Sequence, residues 1–130
     1  MIKTFKDLIV YQKAFEQAME IFELTKGFPM IEKYSLTDQI RRSSRSVCVN
    51  IGEAWRRLRY PAHFVSKLTD ADAEATETVI WLDCSLACRY LNPGLYKKVA
   101  TRYEEIGKML GSMVRSPEKF CYETAIKGNV

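Results

Sequence analysis

Between residues 36 and 67 seven basic side chains (Arg41, Arg42, Arg45, Arg56, Arg57, Arg59 and Lys67) face two acids, Asp38 and Glu53. On a helix turning about 100° per residue, Arg41, Arg45, Arg56 and Arg59 fall within roughly 60° of one another, with Gly52 in the same line. Arg42 lies beside that line and Arg57 on another flank. Guanidinium groups stay charged at any physiological pH and meet phosphate in a two-pronged fork. The same stripe also serves as a solvated face, or as half of an ionic contact between subunits. A complementary half exists further along. Asp70, Glu74 and Glu77 share one helical face, and residues 68–91 hold five acids against Arg89 alone. A basic stripe on one copy meeting an acidic stripe on another is a directional contact of the kind that closes rings. Solvation, subunit pairing and phosphate contact all remain open at this point.

Enzymatic chemistry finds less support. A carboxylate-bridged di-iron bundle uses Glu-x-x-His pairs, and the one histidine, His63, has no carboxylate three residues before it. Cys84 and Cys88 are one helical turn apart, but a zinc site wants four ligands. We read Cys48, Cys84, Cys88 and Cys121 as reduced packing residues. The glycines are scattered, so no phosphate-cradling loop forms. Two carboxylates facing each other across a pocket do not follow from a single helical stripe. The expectation is a protein with no catalytic residue, no metal and no cofactor.

Helices must position the charged stripes. Apolar spacing of three and four predicts helices over residues 6–26, 35–58, 61–91 and 95–115, and no stretch alternates like a strand. Thr4 with Asp7, and Ser35 with Asp38, look like capping boxes. Gly27 and Pro29, Asn92-Pro93-Gly94, and Ser116-Pro117 supply the stops. The predicted buried stripes are Leu8, Tyr11, Phe15, Ala18 and Phe22 in the first helix; Leu36, Ile40, Ser44, Val47, Ile51, Trp55 and Leu58 in the second; Phe64, Leu68, Ala71, Ala75, Thr78, Leu82 and Leu86 in the third; and Leu95, Val99, Tyr103, Ile106, Leu110 and Met113 in the fourth. Ser43, Ser44 and Ser46 are small enough to let a neighbour approach closely. Trp55 and Trp81 read as packing anchors, and Tyr60 and Tyr90 as the exposed aromatics.

Long helices with short loops give an all-α, antiparallel up-down-up-down four-helix bundle over residues 1–116, followed by a flexible tail over 117–130 that Phe120 and Tyr122 are placed to anchor. A chain of 130 residues with 47% hydrophobic content buries one core unaided. No run approaches the roughly 20 apolar residues of a membrane span, and the first residues lack an apolar signal core. The expected location is therefore cytoplasmic, with no membrane partner. The net charge of +4 is consistent with an anionic partner.

Several phrases together resemble a known family. Phe5-Lys6-Asp7-Leu8 leads to Gln12-Lys13-Ala14, and Phe28-Pro29 is followed by Glu32 and Tyr34. Leu36-Thr37-Asp38-Gln39-Ile40-Arg41-Arg42-Ser43-Ser44 continues through Ser46-Val47 and Asn50-Ile51-Gly52-Glu53 to Arg57. Phe64, Leu68, Ala71, Glu77, Trp81-Leu82 and Tyr90-Leu91 extend the match over residues 3–115. This pattern resembles the four-helix bundle family first named for proteins encoded in intervening sequences of large-subunit ribosomal RNA genes. Gly52 with Ala54, and Ala73-Glu74, depart from its usual small-residue pattern at positions that touch packing or an interface.

The resemblance implies an antiparallel bundle assembled as a ring-shaped homopentamer. One branch, the accessory proteins of diversity-generating retroelements, resembles basic barrels that bind nucleic acid and their reverse transcriptase. The expected function is a non-enzymatic homo-oligomer that binds nucleic acid, RNA foremost, through Arg41, Arg42, Arg45, Arg56, Arg57 and Arg59. A reverse transcriptase partner is expected only for a retroelement-associated member. The alternative is a structural ring or adaptor whose arginines pair with Asp70, Glu74 and Glu77 of a neighbouring subunit.

Overall fold

A computed structural model describes residues 2–121. Four helices make up the fold, and no strand occurs among the described residues: α1 (Ile9–Thr25), α2 (Leu36–Trp55), α3 (Pro61–Ala87) and α4 (Pro93–Arg115). Single 3-10 turns at Phe5–Asp7, Met30–Glu32 and Pro117–Lys119 flank them. The α2–α3 pair packs most extensively, followed by α3–α4, α1–α2 and α1–α4. The result is the all-α up-down bundle that loop lengths predict.

The Thr4–Asp7 box forms. Thr4 Oγ1 accepts from the Lys6 N–H at 3.2 Å, and Asp7 Oδ2 accepts from the N–H groups of Lys3 (2.8 Å) and Thr4 (3.0 Å). It caps a 3-10 turn rather than α1 itself, because Leu8 is extended (ψ 126°) and α1 restarts at Ile9. The buried face of α1 also differs from the predicted stripe. Val10, Ala14, Gln17, Ala18, Ile21 and Thr25 point inward, while Phe15 is 48% exposed and Tyr11 and Phe22 are half-buried. Ala14 and Ala18 allow close approach to the other helices. The aromatics sit at the rim, where Tyr11 meets Phe5 edge-on at 4.9 Å between ring centroids.

Ser35 does not cap α2. Its hydroxyl donates to Glu32 Oε1 at 2.6 Å, and the same oxygen accepts from the Leu36 N–H at 3.4 Å. Glu32 Oε2 accepts from the Tyr90 hydroxyl at 2.9 Å, so one carboxylate joins the α1–α2 loop to the α3–α4 loop. Tyr90, predicted to be exposed, is half-buried against Phe28 with centroids 5.4 Å apart. Ser43 and Ser44 are fully buried on α2. Thr78 Oγ1 of α3 donates to Ser43 Oγ at 2.8 Å, and Ser43 donates on to the Ile40 carbonyl at 3.3 Å. Ser44 donates to the Arg41 carbonyl at 3.1 Å, so the small residues bring two helices together with their hydroxyls satisfied.

α3 ends four residues before the predicted 91. Arg89 adopts φ 63°, the Tyr90 N–H reaches the Ser85 carbonyl at 2.8 Å, and the Arg89 N–H reaches that of Leu86 at 2.9 Å. This is a Schellman stop with arginine where glycine is usual. Ser85 is fully buried on the core face of α3, and Leu86, expected in the buried stripe, is half-buried. Asn92 Oδ1 caps α4 by accepting from the Leu95 N–H at 2.8 Å, and Pro93 occupies the first helical position. Beyond α4, Phe120 stacks on Phe64 at 6.1 Å and Cys121 is buried; Tyr122 and the rest of the predicted tail lie outside the described residues.

Candidate nucleic-acid interface

The six arginines do not form one uniform line. They divide into two groups at opposite ends of α2. Arg45 and Arg56 are separated by about 16 Å of helix axis. Between them lie Val49, 55% exposed, and Gly52, which faces the Phe5 ring. Glu53 in the same interval pairs with Lys67 of α3 at 2.8 Å.

At the N-terminal end of α2, Lys33, Tyr34, Asp38, Arg41, Arg42 and Arg45 surround an open groove of ≈ 640 Å³. Each cation in it is held differently. Arg41 Nε donates to Thr25 Oγ1 at 2.7 Å and its Nη2 to the Phe22 carbonyl at 3.3 Å, with Cζ 4.7 Å from the Phe22 ring centroid. It satisfies a carbonyl left free at the end of α1 and adds positive charge where the helix dipole is negative. Arg42 Nη2 pairs with Glu77 Oε2, its Nη1 lies 3.3 Å from Glu74 Oε2, and its Nε donates to Gln39 Oε1 at 3.3 Å. The arginine–carboxylate pairing anticipated between subunits is therefore made, for Arg42, inside one chain. Arg45 is exposed, with Cζ 5.9 Å from the same Phe22 ring, and makes no ion pair among the described residues. Lys33 is likewise exposed and unpaired among them, with Nζ 5.3 Å from the Tyr34 ring.

At the other end Arg56, Arg57 and Arg59 are exposed on the turn leading into α3. Tyr60, 57% exposed, lies beside them, with the His63 ring 5.7 Å from its own. Asp70 is exposed on α3, and Glu74 and Glu77 are half-buried under Arg42. Trp81 Nε1 donates to Glu77 Oε2 at 3.3 Å, and both tryptophans lie half-buried against the core.

The cysteines do not share one environment: Cys48 and Cys121 are buried, Cys84 is half-buried, and Cys88, expected as a packing residue, is exposed. Burial pushes the Cys48 thiol up to about 11, so it stays protonated. No group of three or more His, Cys, Asp or Glu is placed to hold a metal among the described residues. No helix among them is long and apolar enough to cross a membrane.

Lys33 and Tyr34 belong to the groove and were not anticipated. They stand on the turn before α2, outside any periodic pattern, and only their proximity to the Ser35 helix start hinted at a shared edge.

A family model described as 23S rRNA-intervening sequence protein matches residues 6–112. No curated protein matches the chain. A solved structure from Bacteroides thetaiotaomicron, described as a protein with unknown function from the S23 ribosomal protein family, is 32% identical. It covers 82% of this chain and 98% of its own, with a TM-score of 0.74.

Proposed function

Since this chain belongs to the 23S rRNA-intervening sequence protein family, we propose that it is a non-enzymatic, homo-oligomeric accessory protein that binds nucleic acid, RNA foremost, through the arginine-rich side of α2. The observation that carries this reading is the groove in which Arg45 and Lys33 stand exposed without an acidic partner among the described residues. Phosphate oxygens replace solvent around these two groups. Arg41 frames the groove, and Arg56, Arg57 and Arg59 offer a second backbone contact further along. A pentameric ring repeats the groove in each copy, so a long polyanion engages several at once. Its place of action is the cytoplasm, and a reverse transcriptase is its partner only if it serves a retroelement.

Titrating the full chain with a structured RNA and a duplex DNA at several salt concentrations tests the reading. Affinity should fall linearly with salt on logarithmic axes, since each neutralised phosphate releases counterions. The Lys33→Glu/Arg45→Glu double variant should lose binding and keep its oligomeric state. Absence of binding by the unaltered chain at low salt overturns the proposal.

A second reading, a structural ring or adaptor, draws on the apolar surface that Phe15 (48%), Met19 (40%) and Val49 (55%) leave exposed along α1 and α2. Under that reading the same double variant dissociates the oligomer in light scattering.

A further inference from the structure

We infer that the nucleic acid taken by the Lys33–Arg45 groove is single-stranded, with a base stacked on Tyr34. The inference rests on the nucleic-acid reading above and specifies its ligand.

Tyr34 is 85% exposed, and its hydroxyl makes no hydrogen bond among the described residues. An aromatic ring so fully in water contributes little to folding, because it removes almost no apolar area from solvent. It lines the same groove as Lys33, Arg41, Arg42 and Arg45, so a ring and four cations converge on one concavity. Lys33 Nζ lies 5.3 Å from the ring centroid, within cation–π range. With the ring this exposed, a cation there leaves room for a planar group to stack.

A duplex uses such a site poorly. Its bases are stacked on each other inside the helix, and only phosphate and sugar meet a surface groove. An unpaired strand offers both of the groups this groove is built for: phosphate for Arg45 and Lys33, and a free π-face for Tyr34. Asp38, the one acid in the groove, disfavours dense phosphate packing and suits a flexible backbone that can route its charges past it. Beyond the other end of α2, Tyr60 stands 57% exposed on the same turn as Arg57 and Arg59, a second exposed ring near cations.

The experiment measures fluorescence anisotropy of oligouridine RNA, oligothymidine DNA and a duplex of the same length, at several salt concentrations. The proteins are the full chain, Tyr34→Ala, Tyr34→Phe and Lys33→Glu/Arg45→Glu. The unaltered chain should bind both single strands more tightly than the duplex. Tyr34→Ala should weaken single-strand binding roughly tenfold, leave duplex binding alone and leave the salt slope unchanged, whereas Tyr34→Phe should bind normally. Equal loss on single strand and duplex, or no loss on either, overturns the inference while the nucleic-acid reading stands. Failure of the unaltered chain to bind any of the three at low salt overturns both.

Discussion

Arg41 of α2 donates through Nε to Thr25 Oγ1 of α1 across 2.7 Å, and the Thr25 hydroxyl in turn reaches the Ile21 carbonyl at 2.8 Å. The first arginine of the basic stripe is thereby a fastening between two helices, and its neighbour Arg45 is not. Arg41→Ala should cost about 1.5–3 kcal/mol, the scale of a hydrogen bond to a charged group. Arg45→Ala should stay within about 0.5 kcal/mol, as exposed substitutions do. Urea denaturation of the two variants measures the difference, and equal costs would refute it. Charge reversal at Arg41 would confound any binding experiment with loss of fold, which is why Lys33 and Arg45 are the informative pair.

Glu74 and Glu77 pair with Arg42 at the edge of the groove and offset its charge there. Replacing both with Gln should release that guanidinium, raise low-salt affinity for nucleic acid and steepen the logarithmic salt slope by about 1, the contribution of one further phosphate contact. An unchanged slope would place Arg42 outside the interface.

Ser43 is fully buried where α2 meets α3, hydrogen-bonded to Thr78 at 2.8 Å. Volume, more than the hydroxyl, is what the site needs. Ser43→Ala should cost about 1 kcal/mol or less, because Thr78 retains the Glu74 carbonyl at 2.9 Å as an acceptor. Ser43→Leu should cost about 1–3 kcal/mol or more by forcing the helices apart. Thermal denaturation should rank them in that order.

Arg89 holds a left-handed conformation at φ 63°, which costs an L side chain roughly 1 kcal/mol and glycine nothing. Arg89→Gly should therefore raise stability by about 0.5–1 kcal/mol despite glycine's greater freedom when unfolded. A lowered melting point would contradict this.

The Glu32 carboxyl is held below the ordinary carboxylate range, first by the Ser35 hydroxyl and then by that of Tyr90. A pKa lower in the folded state than in the unfolded one gives stabilisation that is complete above the ordinary range. That stabilisation fades as pH falls through the folded value. The melting temperature of the unaltered chain should consequently drop more steeply between about pH 6 and about pH 3 than that of Glu32→Ala. Parallel curves would show that the carboxylate does not contribute.

The buried stripe of α2 was legible because charged arginines fill the opposite side, leaving one phase for the apolar period. In α1 the apolar residues cover most of the circumference. Tyr11, Phe15 and Phe22 fit a helical period as well as Ala14, Ala18 and Ile21 do. The choice between them is made by how closely the other helices approach, a distance that spacing along one chain does not contain. The attraction of Arg42 for Glu74 and Glu77 was visible as opposite charge. That it closes within one chain depends on the α2–α3 crossing at Ser43 and Thr78. Lys33 and Tyr34 escaped because a turn has no period, and Glu32 displaced the expected Ser35–Asp38 cap by reaching a tyrosine 58 residues away.

Glu32 has a consequence for recognition. It binds Ser35, the start of α2 and Tyr90 with one carboxylate, so the turn that displays Lys33 and Tyr34 is clamped to the α3–α4 loop. A ligand arriving there finds its contacts already in place and need not freeze a wandering loop, so less of the association energy goes into ordering the protein. Preorganisation of this kind lets an open groove hold a flexible strand whose own ordering is the larger entropic cost.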